Sequence, residues 1–430
     1  MSAADTIFAL SSGAPPAAIA VIRISGPAAF DAVKALAGRL PAPRRASLMT
    51  LRDSSGTELD RVLALTFPGP GSATGEDLAE LHLHGGRAVV RAVETALAAL
   101  PNLRQAEAGE FTRRAFLNGR MDLNEAEGLA DLLTAETEWQ RRAASAMMGG
   151  AFSARIEEWR QEVLRLSAMT EAELDFSDEG DVQDQNNINI SNACAVLHDV
   201  IKQVIAAPAA EKLRDGLRVV LGGPPNSGKS TLLNALVARD AAIVSDIAGT
   251  TRDMIEVPVA LEGIPLLFID TAGLRDSTAD VIEAMGIERT KLAMHSADII
   301  LWLGDEAQGP QHAGLIEVEA KVDDPAHAAK GETAFRVSAI SGDGLTALIG
   351  EIVRRAKTLL PPMDQFAVNQ RQQALLSECA DALAGAVQSK DWLIVAEQLR
   401  HARLSLDALT GRAHTEDMLD MLFGRFCVGK

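Results

Sequence analysis

Eight residues near the middle of the chain have the types and spacing of a phosphate-binding loop. Gly223–Ser230 reads G-P-P-N-S-G-K-S and lies between the apolar run Arg218–Leu221 and the helix-like segment Thr231–Val237. In a strand–loop–helix context, backbone N–H groups can crowd a polyphosphate, and the helix N-terminus adds free donors. Lys229 is expected to reach the β- and γ-phosphates, and Ser230 to offer its hydroxyl to Mg²⁺. The sequence therefore predicts that the chain binds a nucleoside triphosphate.

Two further strings indicate which triphosphate binds. Asp270–Gly273 reads D-T-A-G and follows the apolar run Pro265–Ile269, so Asp270 is expected at the carboxyl end of a strand, where it can hold Mg²⁺ through water. Between the motifs, Asp246–Asp253 reads D-I-A-G-T-T-R-D and offers Thr251 as a second hydroxyl ligand for Mg²⁺, on a loop that orders with the γ-phosphate. Together these strings favour a GTPase over an ATPase.

The elements that would read guanine are less complete. Ser338–Ala339 resembles the S-A element whose backbone contacts guanine, but the expected N-K-x-D is A-K-V-D in this chain. Asp323 can accept hydrogen bonds from the base and the stem of Lys321 can cover it, whereas Ala320 offers no side-chain contact. The interval 304–314 is short for a crossover between parallel strands, which normally includes a helix. We expect guanine preference and a trimmed edge of this domain.

Hydrolysis needs a group that the strings do not supply directly. Leu274 follows D-T-A-G where a water-orienting glutamine would stand. Asn226 carries a carbonyl oxygen inside the phosphate-binding loop, and Ser245–Thr250 can add backbone oxygens to make a monovalent-cation site. A K⁺ ion there would supply the positive charge that an arginine finger supplies elsewhere. The alternative role for Asn226 is an amide that only stabilises the loop.

The elements that must position these residues fall into several segments. Residues 1–118 mix β-rich and Ala-rich helical runs and predict an α+β domain. Residues 119–214 and 359–430 have helical periodicity and predict two halves of an all-α domain, interrupted by an inserted α/β P-loop domain at 215–358. Asn124 is the expected N-cap of the first helix after the α+β domain. The acidic segment Asp175–Asp181 is expected to be a solvated helix terminus, with a cation site as the alternative.

Composition limits the classes of protein that fit. A chain of 430 residues predicts about three domains, and its three cysteines form no disulfide framework, which suits a reducing cytoplasm. The sequence shows neither an apolar run of ~18 residues nor a basic-then-apolar N-terminus, so we expect no membrane span, no signal peptide and no membrane association. The net charge of −18 makes the chain a poor unaided binder of RNA, because phosphate contacts need Lys and Arg. A basic partner would have to supply most of the grip on a nucleic acid.

Strings along the whole chain resemble the MnmE (TrmE) family of tRNA-modification GTPases. The central strings are Gly222–Ser230, Asp246–Asp253 and Asp270–Arg275, and the last four residues, Cys427–Lys430, read C-V-G-K. The strings of the N-terminal part are Val21–Gly26, Thr74–Asp77, His84–Gly86 and Gly109–Asn118.

The resemblance assigns roles around the nucleotide. It implies Mg²⁺ ligation by Ser230 and Thr251, and a water-orienting Glu283, preferred over Glu288 by alignment to a G-I-E-R string. The implied K⁺ ligands are Asn226, Ser245, Ile247 and Thr250. The implied nucleotide-binding residues are Asn226, Ser227, Gly228, Lys229, Ser230, Thr231, Ser245, Asp246, Ile247, Ala248, Gly249, Thr250, Thr251, Asp270, Thr271, Ala272, Gly273, Lys321, Asp323, Ser338 and Ala339. Catalytic roles are implied for Glu283, Asn226 and Lys229. Cys427 is a further candidate, for which a buried structural cysteine is the alternative.

A second site is implied in the N-terminal domain, where the family binds a tetrahydrofolate (5-formyl- or 5,10-methylene-). Its positions are Arg23, Glu80 and Arg120, completed by the C-terminal Lys430. The arginines would hold the folate carboxylates or the pterin oxygen, and Glu80 would accept pterin N–H donors bidentately. Read from the residues alone, Arg23 at a strand end is also typical of a surface ion pair. His82 and His84 share a strand face, but no third metal ligand is in view.

The function that the resemblance implies is a homodimeric, K⁺-stimulated GTPase that acts on the wobble uridine of tRNA. It would add a carboxymethylaminomethyl group at C5 with a one-carbon unit from folate. A flavoprotein partner (MnmG, also GidA) would supply FAD chemistry and most tRNA contacts. The alternatives are a regulatory or ribosome-assembly GTPase without folate chemistry and, less favoured, an ATPase.

Overall fold

The computed structural model describes residues 5–175, 183–208, 210–240, 242–243, 255–270, 291–325, 329–331, 334–362, 366–413, 416–424 and 426–429. The chain forms two compact units: an N-terminal unit of residues 1–130 and 407–430, and a central unit of residues 131–406.

The strands follow the predicted order of segments. They are β1 Thr6–Leu10, β2 Ile19–Ser25, β3 Ser47–Arg52, β4 Glu58–Phe67, β5 Leu78–His84, β6 Leu103–Gln105, β7 Leu217–Gly222, β8 Ala242–Ile243, β9 Ile255–Leu261, β10 Ile264–Asp270, β11 Ile299–Trp302, β12 Leu315–Ala320 and β13 Phe335–Val337.

The main helices are α1 Ala29–Ala37, α2 Arg87–Ala98, α3 Glu110–Leu117, α4 Leu123–Thr134, α5 Glu138–Met148, α6 Ala151–Asp175, α7 Gln183–Ile205, α8 Ala210–Arg214, α9 Lys229–Asp240, α10 Leu345–Leu359, α11 Gln370–Gln388, α12 Trp392–Thr410 and α13 Glu416–Phe423. Residues 291–295 are also helical.

The N-terminal unit is an α+β fold, as predicted. Its sheet has the order β3-β4-β5-β2-β1-β6, in which only β1 and β6 run parallel. Strand side chains alternate between the two faces of a sheet. Ile22 and Ile24 therefore pack with α1 and α2 in one apolar core, and Arg23 lies on the opposite face.

The carboxyl-terminal tail packs on the start of α3 and the end of β1. Val428 forms a β-bridge with Ala108, and the Gly109 N–H donates to the Cys427 carbonyl (3.4 Å). A Cβ on Gly109 would overlap the Phe423 carbonyl, and one on Gly429 would overlap a carbonyl of β1. Both glycines have positive φ, +68° and +96°. The docking of the tail therefore requires glycine at both positions, Gly109 and Gly429.

The central unit contains the predicted α/β sheet, in the order β13-β12-β11-β7-β10-β9-β8. The strands from β13 to β10 are parallel, and β9 and β8 add an antiparallel edge. Apolar residues of α9 and α10 complete its core. Of the two ranges predicted to form one all-α domain, 119–214 and 359–430, this unit contains α5 to α8, α11 and α12 up to Leu406, whereas residues 407–430 belong to the N-terminal unit.

The N-terminal turn of α5 holds the two points where the chain enters and leaves the α/β part. Trp139 Nε1 donates to the Pro361 carbonyl (3.0 Å) in a buried contact. Gln140 Nε2 donates to the carbonyls of Leu213 and Arg214 (both 3.1 Å). Trp139 also belongs to the apolar cluster of the central sheet. The first turn of α5 therefore packs with the α/β core although it lies outside the predicted insert.

The helical stretch predicted to begin at Asn124 differs in its start. α4 begins one residue earlier, and Asn124 is buried inside it. Asp122 Oδ1 accepts from the Glu125 N–H (2.9 Å) and Glu125 Oε2 from the Asp122 N–H (2.8 Å), which is the reciprocal pattern of a capping box. The prediction of Asn124 as N-cap is wrong, because Asp122 satisfies the end of the helix.

One helical stretch of the described residues, Asn189–Arg214, is long and apolar enough to cross a membrane. Length and composition alone are weak evidence, because core helices pass the same test. Cys194 and Ile201 of this stretch are buried, and Ser191 Oγ donates to the Val387 carbonyl of α11 (3.5 Å). The absence of a membrane association stays a prediction.

Candidate active site

The phosphate-binding loop has the conformation that its residue types predict. β7 ends at Gly222 and α9 begins at Lys229, so the loop leads from a buried strand into a helix N-terminus. Positive φ angles occur at Gly223 (+143°), Asn226 (+60°) and Gly228 (+97°). Asparagine tolerates this region better than other non-glycine residues. The buried Lys229 Nζ donates to the carbonyls of Gly223 (3.1 Å) and Pro224 (2.8 Å), so the loop curls around the ammonium.

A hydroxyl and a carboxylate meet beside the loop. β10 runs parallel to β7, which brings Asp270 opposite Leu221 at the carboxyl end of the sheet. Ser230 Oγ donates to Asp270 Oδ2 at 2.5 Å, and Asp270 is buried. Hard oxygen ligands of this kind fit Mg²⁺. The predicted positions of Ser230 and Asp270 are thus brought together.

Lys321 joins the candidate guanine loop to the phosphate-binding loop. β12 ends at Ala320, and Lys321 follows with a φ of +60°. Its Nζ donates to the Asn226 carbonyl (2.7 Å), and its Cε lies 3.5 Å from where a Cβ on Gly228 would be. The stem of the lysine therefore lies across the loop that would hold the phosphates.

The two segments predicted to read the base are neighbours. β12 and β13 are parallel, and the Val322 N–H donates to the Val337 carbonyl (3.3 Å). Ser338 Oγ accepts from two following N–H groups, which fixes the turn after β13. Asp323 is exposed on the adjoining turn. The tertiary structure thus brings Lys321, Asp323, Ser338 and Ala339 to one edge of the sheet, next to the phosphate-binding loop.

The trimmed edge expected between β11 and β12 is confirmed. The strands are parallel neighbours, and residues 303–314 connect them without a helix. An open cavity of about 440 Å³ adjoins this connection, lined in part by Asn226, Ser227, Gly304, Lys321 and Lys330.

Several predicted positions lie outside the described residues and stay predictions. They are Ser245, Asp246, Ile247, Ala248, Gly249, Thr250, Thr251, Thr271, Ala272, Gly273, Leu274, Glu283, Glu288 and Lys430.

The candidate folate residues Arg23 and Glu80 form an ion pair across the N-terminal sheet. They are register partners of β2 and β5, and both Arg23 Nη2 (2.8 Å) and Nε (3.2 Å) donate to Glu80 Oε1. The Arg23 guanidinium lies 5.8 Å from the centroid of Phe111, and Glu80 Oε2 lies 3.4 Å from His82 Nε2. Arg23 is inside β2 rather than at its end. The ion pair that the residue types indicate is present, with side chains only 24% and 19% exposed, and a folate role of Arg23 stays a prediction.

Arg120 lies elsewhere on the same unit. It is exposed, and its Cγ is 3.3 Å from where a Cβ on Gly75 would be. Glu76, which follows Gly75, accepts a hydrogen bond from Ser25 Oγ (2.7 Å). Ser25 lies two residues after Arg23, on the same face of β2. Among the described residues, no hydrogen bond or ion pair joins Arg120 to the Arg23–Glu80 pair.

A network of ion pairs links two strings of the N-terminal part, Thr74–Asp77 and Gly109–Asn118, for which the sequence alone indicates no separate role. Arg114 pairs with Asp5, Glu76 and Glu110, and Arg104 pairs with Asp5 and Glu110. Burial alone would raise the pKa of the Glu110 carboxyl, but hydrogen bonds from Arg104, the Glu107 N–H and Arg114 outweigh it and lower that pKa. Thr74–Asp77 and Gly109–Asn118 are therefore held together by partly buried ion pairs.

The cysteines and histidines give no metal centre in the described part of the chain. His84 Nδ1 instead pairs with Asp60 Oδ1 at 2.7 Å. Cys427 is exposed, so its alternative interpretation as a buried structural cysteine is wrong. Cys194 and Cys379 are the buried thiols, and burial raises their pKa values to about 11 and about 12.

Two family models match the chain, and together they cover nearly all of it. The model described as "MnmE helical domain" matches residues 123–427, and "GTP-binding protein TrmE N-terminus" matches residues 6–120. The chain belongs to the MnmE family.

Relatives within the MnmE family match over their full length. The "tRNA modification GTPase MnmE" of Novosphingobium aromaticivorans is 55% identical, with 99% of this chain and 100% of that protein covered. The protein of the same description from Rhizorhabdus wittichii is 56% identical, with 100% of this chain and 97% of that protein covered. The relatives are named as GTPases, and this chain has the phosphate-binding loop with Ser230 bonded to Asp270. The nucleotide site of this MnmE-family chain is therefore that of a GTPase.

Solved structures with a similar domain include two GTPases. The G domain of the T. maritima FeoB iron transporter is 22% identical, with 33% of this chain and 98% of that chain covered, at a TM-score of 0.24. Aquifex aeolicus Era bound to GDP and aluminium fluoride is 25% identical, with 40% of this chain and 68% of that chain covered, at a TM-score of 0.25.

Some residues of this MnmE-family protein gain a role only from the contacts. Phe111, Glu76 and Glu110 lie inside strings that resemble the family, so their position was visible but their partners were not. For Trp302, the sequence holds one sign that the backbone approaches its ring, namely the two glycines at 304 and 309 in the short crossover that follows it.

Proposed function

We propose that this protein hydrolyses GTP in the modification of the wobble uridine of tRNA, adding a carboxymethylaminomethyl group at C5 together with a flavoprotein. The observation that carries the proposal is the assembly at the phosphate-binding loop. Ser230 meets Asp270, and Lys321 bonds to the Asn226 carbonyl of the same loop. The relatives named as tRNA modification GTPases over the full length support the tRNA substrate.

The loop residues divide the work of hydrolysis. Lys229 is held at the loop by two carbonyls and places an ammonium beside the phosphates. Ser230 would hold Mg²⁺ together with Thr251, Asp270 would hold it through water, and the ion would supply positive charge beside the phosphates. The Asn226 amide is available for K⁺ because Lys321 bonds to its backbone carbonyl and not to its side chain. Ser245, Ile247 and Thr250 would complete the K⁺ site.

Potassium dependence tests the role of Asn226. We expect faster GTP turnover by the unsubstituted protein in KCl than in NaCl. Asn226→Ala should lose this difference and about a hundredfold in rate, because a preorganised charge at the phosphoryl group is removed. Asn226→Gly is the matched control, since glycine accepts the φ of +60° without strain. Loss in the alanine variant alone would assign the effect to backbone strain, and equal turnover in both salts would refute the K⁺ site.

The N-terminal sheet supports a tetrahydrofolate site. Arg23 occupies Glu80 Oε1 and neutralises its charge, so a pterin N–H would be accepted chiefly at Oε2 rather than across both oxygens as first expected. The Arg23 guanidinium lies over the buried ring of Phe111, which holds the arginine in place beside Glu80. Arg120 and Lys430 would contact the ligand from the loop and the docked tail.

Folate binding separates this function from a regulatory or ribosome-assembly GTPase. Titration with 5-formyl-tetrahydrofolate should give saturable binding to the unsubstituted protein. Arg23→Met should lose it, whereas Arg61→Met, an exposed arginine on β4 of the same sheet, should retain it. A silent titration of the unsubstituted protein would favour the regulatory alternative.

Dimerisation and the flavoprotein partner complete the proposal. Ile19, Leu48 and Leu63 are 59%, 67% and 45% exposed on the sheet face that also carries Arg23, which supports a homodimer formed over this face. Because this chain has a net charge of −18, we expect basic residues of the partner to make most of the contacts with the tRNA phosphates. We expect weak tRNA binding by the chain alone and stronger binding when MnmG is added. Equal tRNA affinity with and without MnmG would contradict this division.

A further inference from the structure

The connection between β11 and β12 is folded around one indole. Trp302 is the last residue of β11, and its Nε1 donates to the Asp305 carbonyl three residues later (2.9 Å). A Cβ on Gly304 would lie 2.5 Å from Trp302 Cζ2, and one on Gly309 would lie 3.1 Å from Cγ. The two glycines therefore let the backbone of residues 303–314 close on the ring where a crossover helix would otherwise pack.

The same ring contacts the start of the phosphate-binding loop. A Cβ on Gly222 would lie 3.0 Å from Trp302 Cε3, which is closer than ordinary van der Waals contact. The Leu303 N–H donates to the Gly222 carbonyl (2.7 Å) and so extends the pairing of β11 with β7. The indole thus lies between the last residue of the β7 strand and the crossover.

The backbone of the crossover packs directly on the loop. A Cβ on Gly223 would lie 2.9 Å from the Gly304 nitrogen, and one on Gly304 would lie 3.1 Å from Pro224 Cδ. Neither position leaves room for a side chain. A displacement of Gly304 would therefore be transmitted to Gly223 and Pro224, whose carbonyls hold Lys229.

A buried lysine anchors the other side of Trp302. Lys330 Nζ donates to the Trp302 carbonyl (3.0 Å) and pairs with Glu317 Oε2 of β12 (2.7 Å), and its side chain is 8% exposed. Beyond these contacts the region opens into the cavity of about 440 Å³. The indole shares its contact with Gly222 with Met294 of the helical residues 291–295, whose Cε would lie 2.7 Å from a Cβ on Gly222, while residues 303–314 themselves contain no helix.

We propose that Trp302 is a positioning residue for GTP hydrolysis, which takes the place of the crossover helix and sets the course of Gly222–Pro224 against the bound triphosphate. The proposal rests on the GTPase function and adds a residue that touches neither nucleotide nor metal. A misplacement of about 1 Å in groups that orient a reacting phosphate costs on the order of a hundredfold in rate.

Substitution of the indole tests the proposal in the full chain. Trp302→Ala should lower kcat/KM for GTP about a hundredfold, with weaker GDP binding. Trp302→Phe should stay within about tenfold of the unsubstituted protein, because it keeps an aromatic ring against the glycines. Trp392→Ala is the matched control, a half-buried tryptophan at the start of α12. Full turnover by a folded Trp302→Ala protein would overturn the proposal, as would a Phe variant as impaired as the Ala variant.

A second measurement covers the case in which Trp302→Ala does not fold. The unsubstituted protein is labelled with 5-fluorotryptophan, and the Trp302 signal is assigned in the ¹⁹F spectrum by its absence from Trp302→Phe. Saturating GDP with Mg²⁺ should shift the Trp302 signal and leave that of Trp392 in place. An unmoved Trp302 signal with GDP bound overturns the proposal. Failure of the unsubstituted protein to bind GDP at all overturns the GTPase function and this proposal with it.

Discussion

At the scale of single residues, lysines organise the nucleotide site by bonding to backbone carbonyls. Lys229 draws the Gly223 and Pro224 carbonyls around its ammonium, and Lys321 does the same for Asn226. Charge-assisted hydrogen bonds are stronger than neutral ones, so they can hold a loop with positive φ angles. Lys321 thereby ties the base-reading edge to the phosphate-binding loop.

The base-reading edge carries the first prediction. Asp323→Ala should lose the preference for GTP over ATP, because a carboxylate makes the stronger bonds to guanine. Ala320→Asn should tighten GDP binding by roughly three- to tenfold, since a hydrogen bond between neutral groups contributes about 0.5–1.5 kcal/mol. Competition between nucleotides and GDP titration measure both effects. Unchanged binding in both variants would show that this segment does not read guanine.

The buried network of the N-terminal unit carries a prediction on pH. The folded pKa of Glu110 is lowered from 4.5, so its contribution to stability is fully present above pH 4.5 and is lost as the pH falls through the folded pKa. Glu110→Gln should destabilise the unit by about 1–3 kcal/mol at neutral pH, because Arg104 and Arg114 lose charge-assisted bonds to this carboxylate but keep Asp5 as a partner.

Urea unfolding at several pH values measures this effect. The stability of Glu110→Gln should vary less with pH below 4.5 than that of the unsubstituted protein. Glu58→Gln is the control, since Glu58 pairs with two exposed arginines, Arg52 and Arg61. Equal losses at Glu110 and Glu58 would show that burial of the network contributes nothing.

At the scale of elements, function depends on segments that lie far apart in sequence and pack together. In the N-terminal unit, Gly109, where the C-V-G-K tail is docked, directly precedes α3, and the first turn of α3 places Phe111 beside Arg23. In the central unit, the first turn of α5 holds both ends of the α/β insert through Trp139 and Gln140. The first contact holds the C-terminal tail at the start of α3, and the second holds the two ends of the α/β insert at the start of α5.

The docked tail gives the third prediction. Gly429→Ala should detach the tail, because a Cβ would overlap a β1 carbonyl and the residue has a φ of +96°. We expect faster hydrogen exchange at the Gly109 N–H and weaker folate binding. Gly119→Ala is the matched control, since Gly119 has a φ of +65° but nothing within 4 Å of a Cβ. The same effect in both variants would assign it to backbone strain rather than to the docking.

At the scale of the whole molecule, the protein separates its chemistries between two units. The N-terminal unit carries the paired charges of the candidate folate site, and the central unit carries the nucleotide site. The water-orienting group is expected from Glu283, which would reach the water when two GTPase domains of a homodimer meet. Binding and hydrolysis of GTP should then depend on different residues.

Glu283 gives the prediction at this scale. Glu283→Ala should bind GTP and GDP with unchanged affinity and hydrolyse GTP about 10²–10⁴-fold more slowly, the contribution typical of a positioned acid–base group. Equilibrium binding and single-turnover hydrolysis separate the two properties. Glu288→Ala is the control. A slow Glu288→Ala protein beside a normal Glu283→Ala protein would reverse the alignment on which the choice between them rests.

The sequence by itself determined the local chemistry. The phosphate-binding loop, Asp270 at the end of its strand and the shortened crossover are all visible in it. Such motifs are contiguous, and their glycines and charged groups act within a few residues of one another, so residue order alone specifies their geometry. The segment order of α+β, helical and α/β parts is legible for the same reason, since periodicity is local.

Only the tertiary structure decided which distant residues meet. Arg23 faces Glu80 because β2 and β5 pair in one register, and a shift by one residue would turn both side chains to the other face. Arg114 joins Asp5, Glu76 and Glu110 only after α3 has packed on the sheet. The replacement of a helix by Trp302 depends on how a 12-residue connection closes around an indole, and no periodic pattern encodes that closure.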